Sequence, residues 1–315
     1  MNCIVCKNSN NNLIYKNLKD RLHQDIEGKY NLKRCNVCGL IFLDPQPTTK
    51  EITRHYPSEY GVYNSSSESR KKFLVAKWIN NVFLKKENSN IFLKAGLIFF
   101  YYKLAHLPDF IKSGRVLDVG CSLGDRLLML KYLGWQVEGV EISKKAAVIA
   151  RCRLKKSIYN STFEKAKLPN NYYDAVYLNN VFEHFKKPMF CLKKIRHILK
   201  KGGQLIVVVP NSSSLSFRIF KQNTLLIDVP RHYYTYNENN LTRILKEEGF
   251  IVNTVVYSNC FSSFSSGFAL LLGKKVDYFK LLDKMLWLMG FVLDPILNVF
   301  GVGDYLIIKA EKVNK

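Results

Sequence analysis

Acidic residues are scarce in this sequence. Its 315 residues include 25 Asp and Glu against 48 Lys and Arg, which gives a formal net charge of +23 at pH 7. The lysines are dispersed as singles and pairs, whereas nucleic-acid-binding proteins usually have a clustered basic face with exposed aromatics. Nucleic acid is therefore not the expected partner. Two explanations of the charge stay open: a compositional bias toward Lys and Asn, and attraction to an anionic substrate, membrane surface or RNA.

Long uninterrupted apolar runs are also missing. The two most apolar stretches, 91–107 and 285–293, are too short and too interrupted to span a bilayer. We expect a helix packed on the following domain for the first, and a hydrophobic lid or dimer contact for the second. Contact with lipid is the alternative for both. Since the N-terminus lacks the apolar region of a secretory signal, we expect a cytoplasmic protein, with peripheral contact to the inner membrane face as an option.

The cysteine pattern is not that of a disulfide framework. Four of the eight cysteines form two tight pairs, Cys3-x-x-Cys6 and Cys35-x-x-Cys38. Two such knuckles place four thiolates around one tetrahedral Zn²⁺, which is the ligand set of a closed structural site. Redox chemistry would instead need one pair beside a βαβ unit. We predict a structural zinc site in a module, 1–47, that is too small to be stable without metal.

A strand, a glycine turn and a helix follow one another after residue 115. Val116 to Val119 is a short apolar run, and the turn after it contains Gly120 and Gly124. Free backbone N–H groups and the helix dipole make such a turn a site for an anionic group. The next predicted strand ends at Glu141, near the spacing at which an acid meets a ribose diol. This pattern predicts a nucleoside-binding βαβ unit.

Strands and helices continue to alternate along the rest of the chain, which is typical of a parallel sheet. A long hydrophobic insertion, 258–303, precedes the last predicted strand. We divide the chain into the module 1–47, a linker with helices at 48–110, and an α/β domain at 111–315. The seven strands are expected at 116–119, 135–140, 157–159, 173–178, 204–209, 250–257 and 304–310.

The glycine turn resembles motif I of the class I S-adenosylmethionine (SAM)-dependent methyltransferases, Asp/Glu-x-Gly-x-Gly-x-Gly, with Ser122 replacing the central glycine. Later segments at 173–176, 182–188 and 199–203 resemble that family's ordered motifs. The four-Cys segment and 42–47 look like bacterial methyltransferases encoded among sugar and surface-polysaccharide enzymes. The resemblance covers nearly the whole chain and implies a Rossmann-like seven-stranded methyltransferase sheet.

The resemblance implies SAM as the methyl donor and assigns residues to its parts. The turn suits the methionyl moiety, Glu141 accepts both ribose hydroxyls, Thr162 and Phe163 flank the adenine, and Asn179 faces the reactive sulfur. The full set of expected cofactor residues is Asp118, Gly120, Cys121, Gly124, Glu141, Ile142, Thr162, Phe163 and Asn179.

Two histidines are candidates for a general base, which is needed if the acceptor is a hydroxyl or a carbon acid. His184 and His232 both follow the carboxyl ends of predicted strands, where α/β sheets bind ligands. Arg231 is expected to meet a substrate phosphate. Some relatives bind a divalent cation through Glu-x-x-Glu-His and a later His, but Asn180 at the first Glu position argues against that metal here.

We therefore expect methyl transfer from SAM to a small acceptor, a nucleotide- or lipid-linked sugar bearing phosphate, in surface-glycan biosynthesis. The alternatives are an RNA or quinone-precursor methyltransferase and, outside the enzymes, a zinc-ribbon RNA-binding protein with a vestigial nucleoside fold. The last predicts lost cofactor residues, whereas Asp118, Gly120, Gly124 and Glu141 are all present. The sequence leaves the acceptor atom and the oligomeric state open.

Overall fold

A computed structural model of the chain describes residues 2–23, 25–56, 107–259, 262–274 and 296–313. The apolar stretches 91–107 (apart from its last residue) and 285–293, discussed above as packing or lipid-contacting segments, lie outside the described residues. Within the described ranges, no helix is both long and apolar enough to cross a membrane.

The N-terminal part forms a small antiparallel sheet and one short helix. Its elements are β1 (Asn11–Leu18), β2 (Tyr30–Cys35), β3 (Ile41–Leu43) and α1 (Thr49–Arg54). Helix α1 begins with a capping box, in which Thr48 and Glu51 exchange side-chain-to-backbone hydrogen bonds and satisfy two otherwise orphaned N–H groups.

The remaining elements follow the predicted alternation of strands and helices. In chain order they are β4 (Arg115–Val119), α2 (Asp125–Tyr132), β5 (Gln136–Glu141), α3 (Lys144–Leu154), β6 (Ile158–Asn160), β7 (Tyr173–Asn179), α4 (Pro188–Ile198), β8 (Leu199–Pro210), α5 (Leu215–Phe220), β9 (Tyr234–Thr235), α6 (Glu238–Glu247), β10 (Phe250–Ser258), α7 (Ser262–Leu271) and β11 (Tyr305–Lys312).

Seven of these strands form one sheet in the order β10-β11-β8-β7-β4-β5-β6. The strands from β8 to β6 pair in parallel, and β11 is antiparallel to both of its neighbours. The predicted fold class is therefore confirmed. The chain leaves β4 for β5 on one side and later returns to β7 on the other, which creates a topological switch point. Ligands of open α/β sheets bind in the crevice at such a point.

The boundary between α4 and β8 differs from the prediction. The strand was expected to begin at Gln204, but helix α4 ends at Ile198 and the strand begins directly after it, at Leu199. Leu199 already pairs with Tyr173, and the register shifts before the next pair. Gly202 has a φ of +66° at this irregularity, so the glycine lies at a bulge within the strand.

The small sheet is completed by a strand from the larger part of the chain. Strand β9 pairs with β3, with Phe42 opposite Tyr234 and Ile41 opposite Thr235, which gives the order β1-β2-β3-β9. Phe42 also belongs to the same buried core as Leu117 of β4. The predicted limits of the module, 1–47, stay a prediction, but its sheet is physically continuous with the loop that follows β8.

Only part of the predicted hydrophobic insertion lies in the described residues. Helix α7 packs on α5, where the ring of Phe220 meets the rings of Phe264 and Phe268 edge-on, with centroids 5.8 and 5.1 Å away. The insertion therefore begins as a helix that packs on the helix after β8.

Candidate active site

The glycine turn after β4 has the backbone shape that its sequence requires. Gly120 and Gly124 have φ angles of +72° and +80°, in the left-handed region that favours glycine. Ser122 also has a positive φ, +48°, which explains why the motif usually has a glycine there. The N–H groups of Gly120 and Cys121 donate to the carbonyl of Val140, at 2.8 and 3.1 Å. These bonds fasten the turn to β5 and leave Gly120 exposed.

Glu141 lies where the ribose contact was predicted, at the end of β5. It is only 8% exposed, and its two carboxylate oxygens accept the N–H groups of Ser122 and Ser143 at 2.8 and 2.7 Å. Each oxygen keeps a second lone pair, so a ribose hydroxyl can still be accepted. Ile142, the next residue, is 64% exposed. Their contacts with the cofactor stay a prediction.

Asp118 is the buried carboxyl beneath the turn. Burial raises its pKa to about 7, the nearby Arg126 guanidinium lowers it, and the Glu141 carboxylate raises it. Arg126 is itself held 4.1 Å over the ring of Tyr177. The thiol of Cys121 is buried as well, and burial followed by the Asp118 charge raises its pKa. Cys121 thus packs as a neutral side chain and offers only its backbone to a cofactor.

The three remaining predicted cofactor residues lie on two segments. Thr162 is partly exposed in the loop after β6, and Asn179 is the partly buried last residue of β7. The ring of Phe163, by contrast, is buried and stacked on Phe185, with centroids 5.8 Å apart. Only the backbone of Phe163 is therefore available to an adenine, and its assignment rests on the resemblance alone.

A lysine that the sequence analysis did not single out holds this loop in place. The ammonium group of Lys194, on α4, donates to the carbonyl oxygens of Phe163, Glu164 and Ala166 at 2.6, 3.0 and 2.6 Å. One cation thereby fixes three carbonyls of the predicted adenine loop. A single lysine on an amphipathic helix has no sequence signature that would reveal such a role.

The two candidate histidines are brought together. His184 lies in the short 3₁₀ turn Phe182–His184 after β7, His232 lies in the loop after β8, and their ring centroids are 4.8 Å apart. The Nδ1 of His184 is 3.0 Å from the carbonyl of Arg231, and the Nδ1 of His232 is 3.2 Å from that of Leu226. Because a carbonyl only accepts, each Nδ1 carries the proton and each Nε2 has a free lone pair.

Glu183 completes a cluster of acceptors with these histidines. It is fully buried, and neither carboxyl oxygen has a hydrogen-bond partner among the described residues. One of these oxygens is 3.9 Å from Nε2 of His232, and the potential ligand atoms of Glu183, His184 and His232 all lie within 4.8 Å of one another. Two imidazole lone pairs and a buried carboxyl group with no partner among the described residues suit a cation or a hydroxyl group.

Burial sets the protonation of this cluster. It raises the pKa of Glu183 to about 8, and it lowers the pKa of His184 to about 3, with His232 adding to the effect. The pKa of His232 is also lowered by burial, against an opposing effect of Asp228. All three groups are therefore mainly neutral at pH 7 before anything binds. Asn180 takes the first ligand position of the cation-binding motif described above. The other three positions of that motif are Glu183, His184 and His232.

The expectation that Arg231 meets a substrate phosphate is wrong. Its side chain is fully buried, and its guanidinium donates to both carboxylate oxygens of Asp20 at 2.7 and 2.8 Å and to Asp228. A buried guanidinium needs such counter-charges, because desolvation of an unpaired charge is costly. None of it is exposed to a ligand.

The four N-terminal cysteines fit the predicted metal site. The sulfur of Cys3 is 3.5 Å from that of Cys38, the sulfur of Cys6 is 3.4 Å from that of Cys35, and all four lie within 4.8 Å of one another. None of them forms a disulfide. Tetrahedral zinc at about 2.3 Å from each sulfur would separate the sulfurs by about 3.8 Å. The donor set thus suits zinc, and the presence of the ion stays a prediction.

Comparison with known proteins shows which family the sequence belongs to. Residues 93–255, more than half of the chain, match the family described as "Methyltransferase domain". The chain belongs to this methyltransferase family. The predicted membership of the SAM-dependent methyltransferases is thereby confirmed.

Individual relatives agree with the family. A ubiquinone biosynthesis O-methyltransferase of Bradyrhizobium diazoefficiens is 30% identical over 157 residues, which cover 46% of this chain and 62% of the relative. The enzyme of the same name from Nitrosospira multiformis is 26% identical over 153 residues, 45% and 64% of the two chains. This methyltransferase thus spans a little under two thirds of the length of these relatives. A solved SAM-dependent methyltransferase structure from Archaeoglobus fulgidus is 21% identical over 75% of this chain and 98% of its own, with a TM-score of 0.44.

The expected cofactor residues follow the carboxyl ends of β4, β5, β6 and β7, which are neighbours in the sheet. The turn at Gly120 touches the segment before the histidine cluster, since a Cβ built on Gly120 would lie 2.5 Å from Cγ2 of Val181. The open backbone of Gly120 and the carboxylates of Asp118 and Glu141 fit SAM, a ligand with a ribose diol and positive charge. The histidines that we expect at the methyl-acceptor site therefore lie next to the turn that we expect to bind the methyl donor.

Proposed function

We propose that the protein transfers the methyl group of SAM to a hydroxyl group of a small-molecule acceptor. The observation that carries this proposal is the convergence of His184 and His232 on the carboxyl group of Glu183, which has no hydrogen-bond partner among the described residues, beside the motif I turn. A hydroxyl group can donate to the Nε2 lone pair of either histidine. In the proposal, the glycine turn, Asp118 and Glu141 hold SAM, and the cluster holds the acceptor.

Methyl transfer from a sulfonium is an in-line displacement, so much of its rate comes from positioning of the two reactants. A hydroxyl acceptor also has to lose a proton as the methyl group arrives. His232 is neutral at pH 7 because burial lowers its pKa, and its Nε2 lone pair is available for that proton. A general base of this kind contributes about 10²–10⁴-fold to the rate.

The same three residues could hold a divalent cation, as the resembling quinone-precursor methyltransferases do. Two imidazole nitrogens and a carboxylate form a suitable donor set, and the buried carboxyl group of Glu183 has no other partner among the described residues. When bound, such a cation would polarise the acceptor hydroxyl and lower its pKa. Glu183 would then be ionised, and His184 and His232 would stay neutral.

The acceptor class has two candidates. A phosphate-bearing sugar, linked to a nucleotide or a lipid, is supported by the resemblance of the four-Cys segment to surface-polysaccharide methyltransferases. A phenolic quinone precursor is supported by the relatives named as ubiquinone biosynthesis O-methyltransferases. A histidine of lowered pKa is a weak base, which suits a phenol of pKa about 10 better than the less acidic sugar hydroxyl. A sugar hydroxyl would depend more strongly on the cation. The expected cytoplasmic location, with contact at the inner membrane face, is part of the same proposal.

Methyl-labelled SAM distinguishes these candidates. The purified protein would be incubated with nucleotide sugars, polyprenyl-linked sugars and catechols, each with Mg²⁺ and with a chelator. We expect label on a hydroxyl oxygen of one class, and at least about 10-fold less transfer for Glu183→Gln, whose amide replaces the carboxyl group. Transfer confined to nitrogen or carbon acceptors, or full activity of Glu183→Gln on a hydroxyl acceptor, would contradict the proposal.

A further inference from the structure

The loop that carries His232 is anchored from the inside by one arginine. The guanidinium of Arg231 contacts Asp228 within the same loop and Asp20 of the N-terminal segment, and it also donates to the backbone carbonyl of His55 at 3.2 Å. It is 0% exposed. Two of these partners, Asp20 and His55, lie before the first strand of the larger sheet.

Asp20 is organised to receive this arginine. It is 1% exposed, and its oxygens also accept the N–H groups of Leu22 and His23, at 2.8 and 3.2 Å, and lie 2.6 Å from Nδ1 of His55. Burial alone would raise the pKa of Asp20, but the hydrogen bonds from Arg231 and His55 lower it well below its ordinary value. Asp20 is thus a buried, ionised carboxylate with a full set of donors.

The backbone of Arg231 faces the histidine cluster. Its carbonyl accepts from Nδ1 of His184 at 3.0 Å, and the next two residues are His232 and Tyr233, whose N–H donates to the carbonyl of Glu183 at 2.9 Å. His184 therefore bonds to the backbone of Arg231, His232 follows Arg231 in the chain, and Glu183 bonds to Tyr233, two residues after Arg231. A shift of the Arg231 backbone would move both histidines relative to Glu183.

We propose that Asp20 is a positioning residue for the acceptor site: by pairing with Arg231, the N-terminal segment sets the orientation of His184 and His232. The small sheet is then a part of the active site, although it contributes no group that meets the cofactor. The expected loss of turnover rests on the proposed function. The orientation of the histidines does not, because the signals of their rings report it without any acceptor. The contact of the Tyr56 hydroxyl with Nδ1 of His184, at 3.1 Å, is a second link from the same segment.

The test compares two substitutions of the same kind. Asp20→Asn removes the charge that faces Arg231 and keeps the size of the side chain. The matched control is Asp44→Asn, because Asp44 lies in the same N-terminal part and pairs with Lys33 at 2.7 Å, away from Arg231. Three quantities would be measured on the full chain: SAM affinity by calorimetry, turnover, and the ¹⁵N signals of the histidine rings, assigned with His184→Gln and His232→Gln.

We expect Asp20→Asn to shift the ring signals of His184 and His232 and to lower kcat by about 10–100-fold, the cost of misplacing reacting groups by about 1 Å. Its SAM affinity should stay within about 2-fold of the wild type, because the cofactor side is built from other residues. Asp44→Asn should change none of the three. Shifted histidine signals without any hydroxyl methylation by the wild type would leave the positioning role intact and reject the proposed function instead.

Two outcomes would overturn the inference. One is a folded Asp20→Asn protein whose histidine signals and kcat match those of the wild type. The other concerns folding: if Asp20→Asn does not fold, Asp20→Glu, which keeps the charge on a longer side chain, should fold and show shifted histidine signals. Failure of both to fold, or unshifted signals in Asp20→Glu, would assign Asp20 to folding alone.

Discussion

The ring of His184 packs edge-on against the ring of His232, with centroids 4.8 Å apart and planes at 74°. The two residues come from loops after different strands, yet each uses Nδ1 to reach a backbone carbonyl. This shared arrangement leaves a lone pair on each Nε2, and Nε2 of His232 lies 3.9 Å from a carboxyl oxygen of Glu183. A pair of histidines fixed in the same tautomer by backbone atoms is preorganised to act on one bound group.

The role of His232 can be separated from that of the fold. His232→Ala should lower turnover on the acceptor by about 10²-fold or more, because the general base is lost, and leave SAM affinity unchanged. His197→Ala is the matched control, since the ring of His197 is exposed and its Nδ1 contacts the carbonyl of Lys193 in its own helix. Steady-state kinetics and calorimetry check both variants. Normal turnover of His232→Ala would remove this residue from the mechanism, and a joint loss of thermal stability and SAM affinity would show that it only shapes the loop.

We expect the carboxylate of Glu141 to contribute to SAM affinity and not to the folding of β5. Glu141→Gln loses the negative charge and one acceptor for the two backbone N–H groups it now binds. We expect SAM to bind about 10–100-fold more weakly, since a hydrogen bond to a charged group is worth roughly 1.5–3 kcal/mol. Glu138→Gln on the same strand, where the carboxylate accepts from Tyr173 and Tyr159, serves as the control. Equal SAM affinity of the two variants in calorimetry would contradict the assignment.

Features set by local sequence were predictable. The turn at Gly120 and Gly124 needs positive φ angles, and the sequence places glycine at both positions. The alternation of apolar runs with amphipathic helices gave all seven strands of the main sheet within a few residues. The knuckle spacing brought Cys3, Cys6, Cys35 and Cys38 into one cluster. In each case the residues that determine the structure lie close together in the chain, or they follow a spacing that is typical of one kind of structure.

Features set by long-range pairing were not predictable. Arg231 reads as an exposed, basic loop residue until Asp20, 211 positions away in the chain, is placed against it. Strand β9 has only two residues, too few for any periodic pattern, and exists because β3 has a free edge beside it. Phe163 was assigned to the adenine, but its ring is buried in the core. Such contacts depend on how the N-terminal sheet meets the larger sheet, and no single segment encodes them.

Zinc should copurify in a ratio of about one per chain, as four thiolates with no open position predict. Cys35→Ser should lose the metal and destabilise the N-terminal sheet. Because β9 follows His232 closely and pairs with this sheet, turnover should fall as well, while SAM affinity stays largely in place. The exposed, unpaired Cys152 provides the control, Cys152→Ser. Metal analysis and activity assays would contradict the site if wild-type protein prepared without chelator contained no zinc.

SAM binding should depend on pH through Asp118. This carboxyl has a pKa of about 7 because it is buried, so it is neutral below pH 7 and ionised above it. SAM carries positive charge and favours the ionised form, which means that affinity should rise with pH, by about 10-fold between pH 6 and pH 8 for one linked proton. Asp118→Asn should bind more weakly at pH 8 and show little change over this range. Calorimetry in buffers of different ionisation enthalpy would also detect the released proton; a wild-type affinity that is flat or falls with pH would reject this role.

The hydrogen bonds of Lys194 to the loop after β6 allow a further test of the expected cofactor site. Lys194→Met keeps the length of the aliphatic stem but removes the donors to the carbonyls of Phe163, Glu164 and Ala166. The loop after β6 should then be less ordered, and SAM affinity should fall by about 10-fold, as expected for the loss of roughly 1–2 kcal/mol of preorganisation. Lys193→Met is the neighbouring control, because Lys193 is exposed on the same helix and the substitution removes the same charge. S-adenosylhomocysteine, which has the adenine but no sulfonium charge, should lose affinity by the same factor. If the affinity for S-adenosylhomocysteine stays at the wild-type value, or if SAM binds more tightly, as loss of a positive charge near a cationic ligand alone would predict, the loop at 162–166 does not hold the adenine.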